Sequence, residues 1–234
     1  MITLLQTEPL MEITVATYNV RHCADVGFDA TIIANDILNI NADIAGLQEI
    51  DVNTQRSNIN TPEILSSKSG YNCIFSKAID YQGGAYGHAI MSRLPILSHK
   101  TVLLDSFGHE QRVASVNVID IGGVAVKFLN THLAYDSKHA RTRQIIQLID
   151  MLKDDMPYVV TGDFNTEDKN ELLPFVEHGA TLVNCFDKVY NSFIPTGVAI
   201  DNIVFSKHFE LVESGMCDIV HSDHKPVWAR LKLQ

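Results

Sequence analysis

The sequence predicts an α/β protein in which two β-sheets pack face to face and helices cover their outer surfaces. Short β-rich runs recur along nearly the whole chain, whereas only a few segments carry apolar residues at helical spacing. Neither a low-complexity linker nor an internal repeat divides the 234 residues. Residues 12–234 therefore read as a single domain, preceded by an N-terminal tail at residues 1–11. That length suffices to bury a substantial core, and many strands with few helices achieve this most simply by facing one sheet onto another.

Taken in order, residues 12–20 alternate around Ile13, Val15, Tyr18 and Val20, and read as a strand ending at Asn19. Residues 29–40 place Ile32, Ile33, Ile37, Leu38 and Ile40 at roughly helical spacing. Residues 43–50 form the next strand, with Glu49 near its end. A polar loop over 51–60 leads into a short helix from Thr61, whose early Pro62 suits the first turn. The middle is mostly β: residues 71–76, 87–92, 102–104, 112–119 and 124–130. The last two strands are joined through Gly122-Gly123 as a hairpin.

Residues 138–153 give the clearest helix, with Ile145, Ile146, Leu148, Ile149 and Leu152 along one side. A short apolar strand, residues 158–162, stops at Gly162 and delivers Asp163 and Asn165. Two residues apart in extended backbone, these side chains point the same way. A short helix at 171–178 and strands at 201–206 and 226–233 complete the chain.

Composition narrows the function. Hydrophobic content of 46% with 20% charged residues is ordinary for a soluble globular protein. A formal net charge of −10 argues against a broadly electropositive nucleic-acid cradle; it leaves a nuclease open, because a divalent cation screens phosphate locally. Cys23, Cys73, Cys185 and Cys217 are scattered without paired metal-ligand spacing, and read as reduced thiols. The first eleven residues contain Glu8 and no basic residue, unlike a secretory signal. No apolar run is long enough to span a bilayer. The expectation is a cytoplasmic protein without stable membrane association.

The chemistry lies where strands stop. Asn19, Glu49, His132, Asp163, Asn165, Asp201, Ser222, Asp223 and His224 each interrupt or border an apolar run, where burial without a partner would cost a few kcal/mol. Separate segments bordered this way predict one shared site at an edge of the sheets. Carboxylate and amide oxygens are hard donors suited to Mg²⁺ or Mn²⁺. No His-Glu-x-x-His or Cys-x-x-Cys pattern supports a zinc site, and no phosphate loop, dinucleotide fingerprint or Ser/Cys nucleophile motif is present.

Six segments, in order, carry a resemblance: Thr17-Tyr18-Asn19, Leu47-Gln48-Glu49, Asn130-Thr131-His132, Gly162-Asp163-Phe164-Asn165, Ile200-Asp201-Asn202-Ile203 and Ser222-Asp223-His224. From about Ile13 to Leu233 the chain resembles the endonuclease/exonuclease/phosphatase (DNase I-like) superfamily, in the form of its compact bacterial-type members. The resemblance implies a four-layer α/β sandwich built on two mixed sheets. It implies a Mg²⁺- or Mn²⁺-dependent phosphoester hydrolase, of phosphodiesterase or nuclease type, that attacks phosphorus directly with activated water.

By position, Glu49 is then the main metal ligand, with Asn19 and Asp223 close to the metal. Asp163 orients or deprotonates the attacking water, and Asn165 beside it holds phosphate oxygens. His224 stabilises the pentacovalent phosphate and Asp201 orients it; His132 is the acid for the leaving group. Arg112 grips phosphate with two donors, and Arg141 and Gln144 match the helix that follows the histidine strand. His88 departs from the pattern, standing where an asparagine is expected before Ala89-Ile90-Met91-Ser92, and is read as substrate-binding. Asp201-Asn202 lacks the surroundings found in exonuclease III-like repair enzymes, which disfavours abasic-site cleavage.

Simpler readings compete with these roles. Asp163 with Asn165 could be a turn, Glu49 a water-facing strand end, His132 a satisfied core histidine and Arg112 a surface charge; His221 is read as structural. For substrate, nucleic acid stands beside a small molecule or lipid headgroup, as for a sphingomyelinase-like or inositol-phosphate-type enzyme. A catalytically silent phosphate-binding module is the third class, and it predicts loss of a core residue, whereas Glu49, Asp163, Asn165, Asp201 and His224 are all present.

Overall fold

A computed structural model describes residues 11–234; the rest of the expected tail, residues 1–10, lies outside the described residues. The strands are β1 (Glu12–Asn19), β2 (Ile44–Val52), β3 (Asn72–Tyr81), β4 (Gly84–Ser92), β5 (Ile96–Leu103), β6 (Val113–Ile121), β7 (Val124–His132), β8 (Tyr158–Asp163), β9 (Thr181–Leu182), β10 (Asp201–Phe205), β11 (Phe209–Met216) and β12 (Val227–Leu233). The α-helices are α1 (Ala30–Ile40), α2 (Thr61–Ser69), α3 (Lys138–Asp150) and α4 (Lys169–Glu177). One six-stranded sheet has the order β11-β12-β1-β2-β4-β3, the other β5-β6-β7-β8-β10-β9. Both are mixed: β1 runs parallel to β2, β7 parallel to β8, and the remaining pairs are antiparallel. Each parallel pair is joined across a helix, α1 in one sheet and α3 in the other, as such crossovers require.

Strand alternation sorts the side chains into layers. On β1, Ile13 and Val15 face the second sheet, where they meet Phe128, Val159 and Ile203. Ala16 and Tyr18 face outward onto Ile33, Ile37 and Leu65 of α1 and α2. The second sheet repeats the plan, with Leu129, Val160 and Phe164 packed under Ile145 and Leu148 of α3 and Phe175 of α4. The result is the α/β/β/α sandwich expected from the sequence.

Toward one end of the sandwich the inter-sheet layer turns polar. Asn130, fully buried on β7, donates from Nδ2 to the carbonyls of Leu47 (3.1 Å) and Ala89 (2.9 Å) on the facing sheet. Its Oδ1 accepts from Gln48 (2.7 Å) and Thr161 (3.1 Å). All four of its hydrogen-bonding positions are used. Gly46 permits the approach: a Cβ there would run into Thr161 Oγ1 and Asn130 Oδ1. This plug separates the apolar core from the strand ends that carry the site.

Several elements differ from the sequence expectation. β5 begins at Ile96 instead of Val102, and β3 reaches Tyr81 instead of Ser76. β11 was not foreseen. β5 and β11 are edge strands, and their exposed Ser98, His99, Lys100, Glu210 and Glu213 obscure the β pattern, as polar edge strands do.

Candidate active site

The register of the strands explains why distant residues meet. Asp201, first in β10, lies directly across from Asp163, last in β8, and His132, last in β7, is on the other side of Asp163. On the facing sheet β1 ends at Asn19, paired with Gln48 of β2. Glu49 follows in a left-handed conformation (φ 58°) where β2 slips register against β4. A bulge of this kind re-aims a side chain, and Glu49 Oε1 accepts from Asn19 Nδ2 at 3.1 Å. The segment before β12 supplies Asp223 and His224, tied to β1 by Ser222 Oγ donating to the Asn19 carbonyl (2.8 Å).

Asp163 is the centre of the arrangement. Its Oδ2 accepts from Asn19 Nδ2 at 3.0 Å and faces Nε2 of His132 and His224 at 3.5 and 3.7 Å. Its Oδ1 accepts the backbone N–H of Asn165 at 2.9 Å. Burial, followed by the charge of Asp201, pushes this carboxyl up to about 7, which suits a group that takes a proton from water near neutrality. Asn165 is not on an extended continuation of β8, as the alternation argument assumed. Its left-handed backbone (φ 52°) makes a turn closed on Asp163, and its Nδ2 donates to the Leu133 carbonyl at 2.9 Å. The two side chains line the same cleft nonetheless, by turn chemistry.

His224 has the opposite setting to His132. Asp201 Oδ2 accepts from His224 Nδ1 at 2.7 Å and from Ser192 Oγ at 2.6 Å. Burial opposes a charge on the ring, but the Asp201 charge and hydrogen bond overcome it and raise the imidazole to about 9. The ring of Phe193 packs on it at 4.8 Å between centroids. His132 is pressed the other way: burial, then the Arg112 guanidinium, hold it well below its ordinary value.

Arg112 is a buried group at the site, not a surface charge. Its Nη1 donates to His132 Nδ1 at 3.2 Å and is ion-paired with Glu110 Oε1 at 3.0 Å. His88 is buried beside Arg112 and His132 in a small adjoining cavity and is absent from the main cleft lining; its Nε2 has no hydrogen-bond partner among the described residues. The main cleft, about 450 Å³, is bordered by Glu49, Asp163, Asn165, Asp223, Arg112 and both histidines, with Tyr86, Tyr135, Phe193 and Glu110 on its walls.

Further residues brace it. Arg141 makes a paired contact with Glu171 (3.0 and 3.2 Å), and Gln144 accepts from the Ala134 backbone (2.9 Å), fixing the loop after His132 to α3 and α4. His221 bonds Asp36 at 3.0 Å away from these groups, in keeping with a structural role.

Motif reading missed several contributors. His22 reaches Glu49 Oε2 at 3.4 Å from a left-handed turn spanning Arg21, His22 and Cys23. Ser192, Phe193, Tyr86 and Tyr135 sit in no recognisable pattern, and only folding brings them to the strand ends.

Two candidate donor sets for a hard cation share this end of the sandwich. Asp163, Asp201 and His224 bring ligand atoms within 4.8 Å of one another, but Asp201 and His224 already bond one another and Asp163 accepts from Asn19 and Asn165. Glu49 and Asp223, both on the lining of the main cleft, form the second set. Burial is the largest influence on Glu49 and opposes ionisation; hydrogen bonds with His22 and Asn19 favour the charged form, and the carboxyl lies below its ordinary value. Asp223 is raised, by burial first, with Glu49 itself contributing. Two carboxylates that repel one another across a cleft wall match the donor chemistry of a divalent cation. Asn19, as oriented, turns its amide N–H toward the carboxylates and its Oδ1 to the Arg21 N–H at 3.0 Å.

With six motifs gathered at one end of two mixed sheets, the family model for the "Endonuclease/Exonuclease/phosphatase family" matches residues 16–224. The chain belongs to the endonuclease/exonuclease/phosphatase family. Solved structures agree on the fold. An endonuclease/exonuclease/phosphatase from Beutenbergia cavernae DSM 12333 superposes with a TM-score of 0.84 at 19% identity, covering 95% of this chain and 72% of that one. A mannosyl-6-phosphatase from Bacteroides thetaiotaomicron VPI-5482 gives 0.74 at 22% identity (94% and 99% covered). The human Nocturnin catalytic domain with bound sulfate gives 0.76 at 19% identity (95% and 94% covered). No curated protein matches by sequence. Membership of this family places the chain among phosphoester hydrolases. No helix of the described residues is long and apolar enough to cross a membrane.

Proposed function

We propose that this protein is a divalent-metal-dependent hydrolase of small phosphoesters, in which water attacks phosphorus directly. The observation that carries the reading is Asp163: a buried carboxylate at the focus of Asn19, His132 and His224, lining the cleft, with burial and Asp201 raising its pKa. Asp163 would take the proton of the attacking water while Asn165 borders the phosphate. His224, kept charged by Asp201, would stabilise the negative charge that builds on phosphorus oxygens. Arg112 and His132 would complete the donor set on the opposite wall, and His88 would act from behind them.

Glu49 would be the principal ligand of Mg²⁺ or Mn²⁺, with Asp223 and Asn19 at its border. Such a cation would polarise a phosphate oxygen and help stabilise the departing oxyanion.

A small substrate is favoured by the cleft itself. Its size lies within the range of small-molecule sites, and three aromatic walls surround it. Arg112, the one Lys or Arg lining the cleft among the described residues, is paired with Glu110, and nearby Arg21 is paired with Asp223. No free basic track for a polyanion borders the cleft among the described residues. A panel of sugar phosphates, inositol phosphates, nucleotides, sphingomyelin, RNA and DNA, each with and without Mg²⁺, tests the reading. Turnover of the small esters is expected; preferential cleavage of polymeric nucleic acid would replace this substrate class with a nuclease.

A further inference from the structure

His132 and Arg112 make a contact whose proton arrangement has one solution. A guanidinium has five N–H donors and no acceptor. Arg112 Nη1 lies 3.2 Å from His132 Nδ1, and both residues are more than nine-tenths buried. Nδ1 must therefore present its lone pair to the arginine. The other ring nitrogen, Nε2, faces Asp163 Oδ2 at 3.5 Å, where an N–H is attracted and a lone pair is repelled. Both ends of the ring select the same form, neutral with its proton on Nε2. An imidazolium would set two N–H groups against one another at Nδ1. The opposite tautomer would do the same there and turn a lone pair onto the carboxylate.

Arg112 is held in place for this task. Glu110 Oε1 is ion-paired with the same Nη1 at 3.0 Å, and Tyr86 and His88 line the small cavity beside the guanidinium. The charged or titratable groups that face His132 are Arg112 from the residue before β6, His88 from β4, Glu49 from β2, Asp163 from β8 and His224 from the segment before β12.

We propose that Arg112 is a positioning residue that locks His132 in the neutral Nε2–H tautomer, so that His132 serves the reaction as an uncharged hydrogen-bond donor. This replaces the role of leaving-group acid expected from the sequence. A neutral imidazole N–H is far too weak an acid to protonate an alkoxide in competition with an imidazolium. The two histidines then divide the work: His224 brings positive charge, and His132 brings a directed N–H to an oxygen of the phosphoryl group. The kinetic part of this proposal rests on the phosphoester-hydrolase reading; the tautomer does not.

Two experiments test it. In protein labelled with ¹⁵N-histidine, the ring signals lost in His132→Gln identify the residue. They should show a neutral Nε2–H pattern that does not change between pH 5 and 8, and that pattern should disappear in Arg112→Met. Arg112→Lys, which keeps a cation at the position, covers the case in which the Met variant does not fold. An imidazolium or Nδ1–H pattern in the unsubstituted protein overturns the proposal, whatever the enzyme hydrolyses.

The second reading is kinetic. Gln places an amide N–H near the position of Nε2 but cannot release a proton, whereas Asn imitates the Nδ1 edge. His132→Gln should retain kcat/KM to within about tenfold, while His132→Ala and His132→Asn lose about 100-fold or more, the usual effect of removing one transition-state donor. Equal losses in the Gln and Ala variants identify a proton donor and overturn the donor role. Absence of turnover in the unsubstituted protein refutes the hydrolase reading alone, and the tautomer is then decided by the NMR signals.

Discussion

At the scale of single residues, the site works by giving similar groups opposite surroundings. Asp201 and Ser192 hold His224 charged, while Arg112 keeps His132 neutral. The sign of the first effect sets a pH dependence. A histidine whose pKa is raised from 6.5 to about 9 keeps its charge, and the stability that charge contributes, below 6.5, and loses both as pH rises through about 9. The alkaline limb of kcat/KM should therefore fall near pH 9. In Asp201→Asn it should move down toward 6.5, read from pH–rate profiles of the two proteins. An unchanged limb would mean that another group controls it. Most of these residues were visible in the sequence, because each polar side chain interrupts an apolar strand end. Their protonation was not visible: Arg112 and His132 are 20 residues apart, and only the pairing of β6 with β7 makes them neighbours. His22 and Ser192 escaped for a related reason, since their roles come from a left-handed turn and a loop that follow no periodicity.

At the scale of elements, the polar plug decides whether the strand ends stay in register across the sandwich. Asn130 joins β7 to β2, β4 and β8 through four hydrogen bonds. Asn130→Ala leaves several buried partners unsatisfied, and urea unfolding should show a loss of roughly 2–4 kcal/mol. A loss below about 0.5 kcal/mol, the scale of an ordinary surface change, would contradict the plug's role. Gly46→Ala should be comparably harmful, since a Cβ there meets the plug directly; a thermal melt of the variant checks this. The helices and central strands were legible because their apolar faces follow one period. β5 and β11 were obscured because an edge strand has a polar, exposed side and no second neighbour.

At the scale of the whole molecule, a net charge of −10 and the paired cations at the cleft point to a compact substrate. Turnover should then depend weakly on salt, with kcat/KM changing less than about threefold between roughly 50 and 200 mM, whereas a protein contacting six or more nucleic-acid phosphates loses several orders of magnitude. A steep salt slope would favour a polymeric substrate. The fold class and the end of the sandwich that bears the site could be read from the order of strands and their polar termini. The substrate could not, because the walls of the cleft come from Tyr86, Tyr135 and Phe193, which belong to no shared motif.

The central claim, metal-assisted attack by water activated at Asp163, is tested most directly by phosphate-ester hydrolysis with purified protein and its Asp163→Asn variant. p-Nitrophenyl and bis(p-nitrophenyl) phosphates are assayed in Mg²⁺ and again after chelation. Release of nitrophenol from at least one ester should require the metal, stop with chelator, recover on adding Mg²⁺ back, and fall by about 100-fold or more in the variant. Release that persists in both chelator and Asp163→Asn would contradict the account.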